Sequence, residues 1–269
     1  EGGLAMTYSS LAAIVKYPYT STTTPKHGKF GFFKSELDCF RMVATELGLI
    51  EKSADVFARH PLVYLMEAAD DICYQVMDIE DAHKLKILGI EEVTTLLTGF
   101  FNPERCRHIT GVLDNIDDDN EKVAYLRSCV VGELVGECAK VFVDNEECIL
   151  NGEFEGCLID HISLVARNGY AECSRTAWRK IYNSPDVVDI ELAGNQIITF
   201  LLDRLIDAVL LPEKNYSRLL LSRIPHQYDT SSPTTYGKIQ SVLDHISGMT
   251  DVYALDLFRK LNGLSLPAV

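Results

Sequence analysis

Four carboxylates and a phenol recur at helical spacing between residues 67 and 81: Glu67, Asp70, Tyr74, Asp78 and Asp81. A helix turns by about 100° per residue, so with Asp70 at zero, Asp81, Tyr74, Glu67 and Asp78 fall at about 20°, 40°, 60° and 80°. One face therefore carries all five. Carboxylate oxygens suit a hard divalent cation, and Asp beside Tyr suits hydrogen bonding to a sugar hydroxyl. The competing reading is a solvated acidic helix face. Against it, no lysine sits four residues on until Glu80 meets Lys84, so local pairs leave the repulsion unrelieved. Ala68, Ala69, Ile72, Val76 and Ile79 fall on faces expected to be buried.

The elements that must hold this face are helical almost throughout, because Val, Leu, Ile and Ala recur at three- and four-residue spacing. The pattern predicts helices over Leu4 to Lys16, Ser35 to Leu49 with Ser35 as N-cap, and Pro61 to Leu85, where proline takes the first helical position. Further helices are predicted over Ile90 to Phe101, Asp118 to Val143, Ser174 to Tyr182, Val187 to Leu211, Pro212 to Ile224 and Thr235 to Leu261. Ser21 to Lys26 reads as a Ser/Thr/Pro loop, followed by aromatic Phe30-Gly31-Phe32-Phe33. The acidic run Asp114 to Glu121 reads as a turn and helix start, since it lacks the glycine and terminal Glu spacing of a calcium loop. Short apolar pieces such as Cys148 to Leu150 could be small strands, but nothing supports a sheet. The expected fold class is all-α with few or no strands, as a single helical domain over 1–269.

The composition sets outer limits. The chain has 269 residues, 47% hydrophobic and 24% charged, with a formal charge of −14. That supports a sizeable core and disfavours nonspecific binding to nucleic acid or an anionic membrane. An anionic ligand needs a metal or a local cluster of Lys and Arg. No uncharged run is long enough for a membrane span. The eight cysteines form no CxxC pair, which favours free thiols and a cytoplasmic location. The chain opens on Glu1-Gly2-Gly3 rather than Met, and we read it as a fragment.

Three stretches together resemble the bacterial deoxyguanosinetriphosphate triphosphohydrolase family of the HD-domain superfamily. They are Leu11-Ala-Ala-Ile-Val-Lys16-Tyr17-Pro18, the run EAADDICYQVMDIEDA starting at Glu67, and Asp244-His-Ile-Ser-Gly248-Met249-Thr250-Asp251-Val-Tyr253-Ala254-Leu255. They stand in the family's order and cover nearly the whole chain. The resemblance implies a large multi-helix HD-like fold, present here in part. It implies hydrolysis of a deoxynucleoside triphosphate, with dGTP the favoured substrate, to the deoxynucleoside and inorganic triphosphate. It also implies a divalent metal, Mg or Mn, held by a His, a His-Asp pair and a distant Asp. Asp70 matches that last ligand. Tyr74 and Asp78 match residues at the sugar and its 3′-hydroxyl. Lys16 and Tyr17 match a pair that reaches the phosphates, Lys29 matches a further phosphate contact, and Arg223, in the SRIPHQY stretch, matches a weaker one. The family forms homo-oligomers, often hexamers, and some members respond to a regulatory dNTP or single-stranded DNA.

The departure lies in the histidines. His27, His60, His83, His108, His161, His226 and His245 are all followed by residues other than Asp. The His and His-Asp elements, the general base and the site of the attacking water are therefore expected N-terminal to Glu1, and the fragment is expected to be inactive alone. An alternative from another class is a non-catalytic helical nucleotide-sensing or interaction module. A hydrolase acting on nucleoside monophosphates is a third, disfavoured by the Lys16, Tyr17 and Lys29 cluster, because a monophosphate needs fewer cations. Gly248 reads as a close helix contact rather than a ligand contact. Trp178 with Arg175, Arg179 and Tyr182 reads as part of a packed amphipathic helix, and His161 and His245 as satisfied or surface histidines.

Overall fold

A computed structural model describes residues 5–23 and 28–264. Those residues fold as twelve α-helices with one two-stranded antiparallel hairpin, which bears out the all-α expectation. The chain divides into two compact units, Glu1–Ile181 and Tyr182–Val269.

The first unit begins with α1 (Tyr8–Ala13), capped by Thr7 Oγ1, which accepts from Ser10 N at 3.2 Å. The helix is shorter than predicted and leaves Lys16, Tyr17 and Pro18 on irregular chain, since proline cannot continue the helix and restricts the residue before it. Part of the Ser21 to Lys26 loop lies outside the described residues. Before α2 (Leu37–Leu47) a 3₁₀ turn spans Lys34–Glu36. Ser35 is inside that turn and not the cap. Instead, Glu36 turns back to accept from Phe33 N at 2.7 Å. The hairpin β1 (Glu51–Ser53) and β2 (Val56–Phe57) follows. Phe32, Phe40, Ala44 and Phe57 make a small aromatic core, with Phe32 stacked on Phe40 at 4.4 Å.

The main core of this unit is built by α3 (Pro61–Lys84), α4 (Ile90–Thr98), α5 (Pro103–Leu113), α6 (Asp119–Asp144) and α8 (Leu164–Thr176). The carboxylate-bearing α3 packs most heavily on α6 and also meets α4 and α8. Ala68, Ile72, Val76 and Ile79 are buried as the periodicity predicts, but Ala69 is exposed. Helix α5 was not foreseen, although Asn102 before Pro103 is a strong start signal: its side chain accepts from Arg105 N at 2.9 Å. Cys148 to Leu150 is not a strand. It ends the short helix α7 (Glu146–Leu150). Asp118 caps α6, accepting from Glu121 N at 3.0 Å, as the acidic run suggested. Asp118→Ala is expected to cost about 1 kcal/mol of stability, measurable as a lower denaturant midpoint with an unchanged slope.

The Ser174 to Tyr182 prediction straddles the end of α8 and a π-helical turn, Ala177–Ile181. Ala177 and Ile181 are buried there, but Trp178 is 67% exposed, so the indole is not on the packed side.

In the second unit α9 (Pro185–Leu210) packs on α10 (Asn215–Leu221), α11 (Thr235–Ser247) and α12 (Asp251–Leu261). Leu201, Leu205, Val209, Leu220, Val242 and Leu257 form the centre of its core. The predicted single helix from Thr235 to Leu261 breaks at Gly248, because Thr250 caps a new helix by accepting from Tyr253 N at 3.3 Å. A Cβ on Gly248 would sit 2.8 Å from Tyr228 Oη. The close approach that glycine permits is thus to a tyrosine of the SRIPHQY stretch and not to a neighbouring helix.

Candidate functional site

His60 and Pro61 set where α3 starts. The His60 ring accepts from Leu62 N at 3.2 Å, and proline needs no donor at the first helical position. From there one continuous helix carries residues 61–84. Asp70, Tyr74 and Asp78 stand four residues apart and share a face. Asp70 is exposed, Tyr74 is 66% exposed and Asp78 is half-buried.

Glu67, one turn earlier, behaves differently from what the helical wheel suggested. It is only 6% exposed and is taken up by two cations. Its Oε1 lies 2.5 Å from Lys16 Nζ and its Oε2 lies 3.0 Å from Arg59 Nη1. Glu80 is likewise buried, between Lys84 at 2.9 Å and Arg127 at 2.6 Å. At Glu67 and Glu80 the repulsion that looked unrelieved is relieved from distant parts of the chain, by Lys16, Arg59 and Arg127. A wheel cannot show such partners.

Two backbone ties directly after Lys16 and Tyr17 hold this segment in place. Pro18 O accepts from Phe57 N at 3.1 Å, and Tyr19 O accepts from Gly31 N at 3.2 Å. The second tie brings the KFGFF stretch against the first. A Cβ on Gly31 would lie 2.2 Å from Tyr17 O, so only glycine fits. Lys29, two residues earlier, then reaches the Tyr17 ring at 5.8 Å, and Lys16 reaches the same ring at 5.9 Å. Three predicted residues are thus brought together around one phenol. Gly31→Ala is expected to destabilise this corner by on the order of 2 kcal/mol. Thermal unfolding followed by circular dichroism checks it.

The electrostatics match this packing. Partial burial works against the Lys16 charge, but the hydrogen bond and charge of Glu67 outweigh it and hold the ammonium above its ordinary value. Asp71 is lifted above the usual carboxylate range, first by burial and then by the charge of Glu67. Burial pushes Cys138 up to about 11, and burial with the Asp160 carboxylate pushes Cys157 up to about 12. All eight cysteines are free.

Among the described residues no group of three or more His, Cys, Asp and Glu side chains is placed to hold a metal ion. Around Asp70 these residues alone do not make a metal centre. Arg223 is exposed just past α10 in the second unit. His245 is buried against the Tyr228 ring at 5.1 Å, and His161 Nε2 lies 3.2 Å from Glu155 O. His161 is exposed at the surface. Arg59 was missed. Its signal was a lone basic residue directly before the His-Pro start of an acidic helix. No described helix is long and apolar enough to cross a membrane.

A family model described as a phosphohydrolase-associated domain matches residues 166–260. A deoxyguanosinetriphosphate triphosphohydrolase-like protein of Pseudomonas aeruginosa is 31% identical over 280 residues, covering 100% of this chain and 62% of that protein. A protein of the same description from Synechocystis is 33% identical over 98% of this chain and 61% of its own length. A deoxyguanosinetriphosphate triphosphohydrolase of Yersinia pestis is 26% identical over 96% of this chain and 60% of its own length. The chain spans about three fifths of the length of the curated relatives it matches.

Proposed function

We propose, proceeding from the membership of this chain in the deoxyguanosinetriphosphate triphosphohydrolase family of the HD superfamily, that the full-length protein hydrolyses a deoxynucleoside triphosphate. The substrate of first choice is dGTP, and the products are the deoxynucleoside and inorganic triphosphate. The observation that carries this reading is the meeting of Lys16 and Lys29 on the Tyr17 ring, with Lys16 bonded to the helix that bears Asp70, Tyr74 and Asp78. On a chain of charge −14 such a local cation pair is what an anionic ligand requires.

The roles follow from side-chain chemistry. Lys16 and Lys29 donate to phosphate oxygens as charge-assisted partners, with Tyr17 beside them. Tyr74 and Asp78 hydrogen-bond the sugar and its 3′-hydroxyl. The exposed Asp70 contributes one oxygen to a divalent metal, Mg or Mn, whose other donors come from outside this chain. When bound, such an ion polarises a phosphoryl oxygen and activates water. Attack by water at the α-phosphorus breaks its bond to the 5′-oxygen. The 5′-oxygen takes up a proton and leaves as the alcohol of the deoxynucleoside. Eight free thiols favour a reducing, cytoplasmic setting. Homo-oligomerisation, and regulation by a dNTP or single-stranded DNA, belong to the same proposal.

The test compares this chain with the full-length protein, each incubated with dGTP and Mg²⁺ or Mn²⁺. Release of deoxyguanosine and triphosphate by the longer protein alone is the expected result. No release by either, from dGTP or any other dNTP, leaves a non-catalytic nucleotide-binding module as the better account.

A further inference from the structure

We propose that Glu67 is a positioning residue that fixes the Lys16 ammonium at the edge of the Asp70–Tyr74–Asp78 face, with Arg59 as its anchor. The inference rests on the reading of that face as a triphosphate site. Three observations support it.

First, the two cations on Glu67 are held unequally. Arg59 also donates to Gly156 O at 3.2 Å, and its guanidinium lies over the Tyr64 ring at 5.3 Å. Tyr64 is itself buried and donates to Phe154 O at 2.9 Å. Arg59, 24% exposed, is therefore tied to the fold by contacts besides Glu67. Lys16 leaves the chain beyond α1 and is 37% exposed. It is the end of the network that faces outward.

Second, Lys16 has three donors, and Glu67 engages its ammonium at one carboxylate oxygen. A lysine on irregular chain samples many rotamers. The 2.5 Å contact removes most of that freedom while leaving donors for a second acceptor.

Third, burying a carboxylate between two cations is a poor way to stabilise a fold, since a well-packed apolar side chain of similar volume does as well or better. A buried Glu67 with one anchored and one outward-facing cation makes sense as a means of presenting the latter.

Competitive acylation of lysines with acetic anhydride in the full-length protein, read at Lys16 by mass spectrometry, tests the clamp. Calorimetric titration with inorganic triphosphate tests its use. Lys16 faces Glu67 most directly, with Tyr17 beside it and Asp71 on the same helix. Glu67→Gln is therefore expected to raise Lys16 labelling several-fold and to weaken triphosphate binding by about tenfold. The double variant Lys16→Ala/Glu67→Gln should bind no more weakly than Lys16→Ala. Glu67→Asp keeps the charge for Arg59 but is one methylene short of Lys16. It should shift labelling in the same direction, and it guards against a Gln variant that does not fold. Unchanged Lys16 labelling in the folded variants overturns the inference. So does tighter triphosphate binding by Glu67→Gln, which would make Glu67 a competitor for Lys16, and so does an additive loss in the double variant. Labelling that rises while the wild-type protein takes up no triphosphate supports the clamp and defeats the triphosphate reading instead.

Discussion

Replacing Asp70 with alanine in the full-length protein is expected to lower the rate of triphosphate release from dGTP by about a thousandfold. The side chain is exposed on α3, away from the buried Ala68, Ile72 and Val76. Exposed substitutions of this kind usually change stability by less than about 0.5 kcal/mol. The melting temperature should therefore hold while the activity falls, which separates a lost metal donor from a lost fold. Initial rates across a metal titration check this. Saturating metal should restore little of the rate. A drop of less than tenfold would remove Asp70 from the metal site.

The second large effect is expected at Tyr74. Tyr74→Phe removes one hydroxyl and keeps the ring. At 66% exposure the phenol contributes little to packing, so its loss should be felt by the ligand. A sugar hydroxyl left without its partner costs about 1–3 kcal/mol, or roughly ten- to a hundredfold in kcat/KM. The decisive control is a 2′,3′-dideoxynucleoside triphosphate, which lacks the 3′-hydroxyl. The variant and the wild type should treat it alike, because the partner group is already absent. A loss of equal size on both substrates would place Tyr74 elsewhere in the chemistry.

Much of this site was legible in local sequence because its main element is a single long helix. Pro61 marked the start of α3, and the spacing of Ile72, Val76 and Ile79 marked its inner face. Asp70, Tyr74 and Asp78 then had to share another face, whatever else the fold did. What local spacing cannot carry is pairing across the chain. Glu67 looked like a fourth ligand-facing carboxylate, yet Arg59 and Lys16 bury it. Glu80 is matched by Arg127, 47 residues away. The Lys29 contact with Tyr17 depends on Gly31 fitting against a carbonyl, which composition does not announce. In the second unit the apolar periodicity runs straight through Gly248, so the break between α11 and α12 was hidden. The Thr250 cap and the Tyr228 hydroxyl account for it in space. Helix α5 carries its start signal in Asn102 and Pro103, but Glu104, Arg105 and Arg107 in its first turns dilute the apolar periodicity.

The most direct test of the central claim is phosphorus NMR of the products when the full-length protein meets dGTP and a divalent metal. The account predicts inorganic triphosphate as the sole phosphorus product, formed in step with deoxyguanosine, and its loss on Asp70→Ala. Orthophosphate with dGDP, or pyrophosphate with dGMP, would mean that a different bond is cleaved. Either result would contradict the proposed arrangement, in which Lys16 and Lys29 hold the triphosphate, whose α-phosphorus water attacks, while Tyr74 and Asp78 hold the sugar of the departing deoxynucleoside.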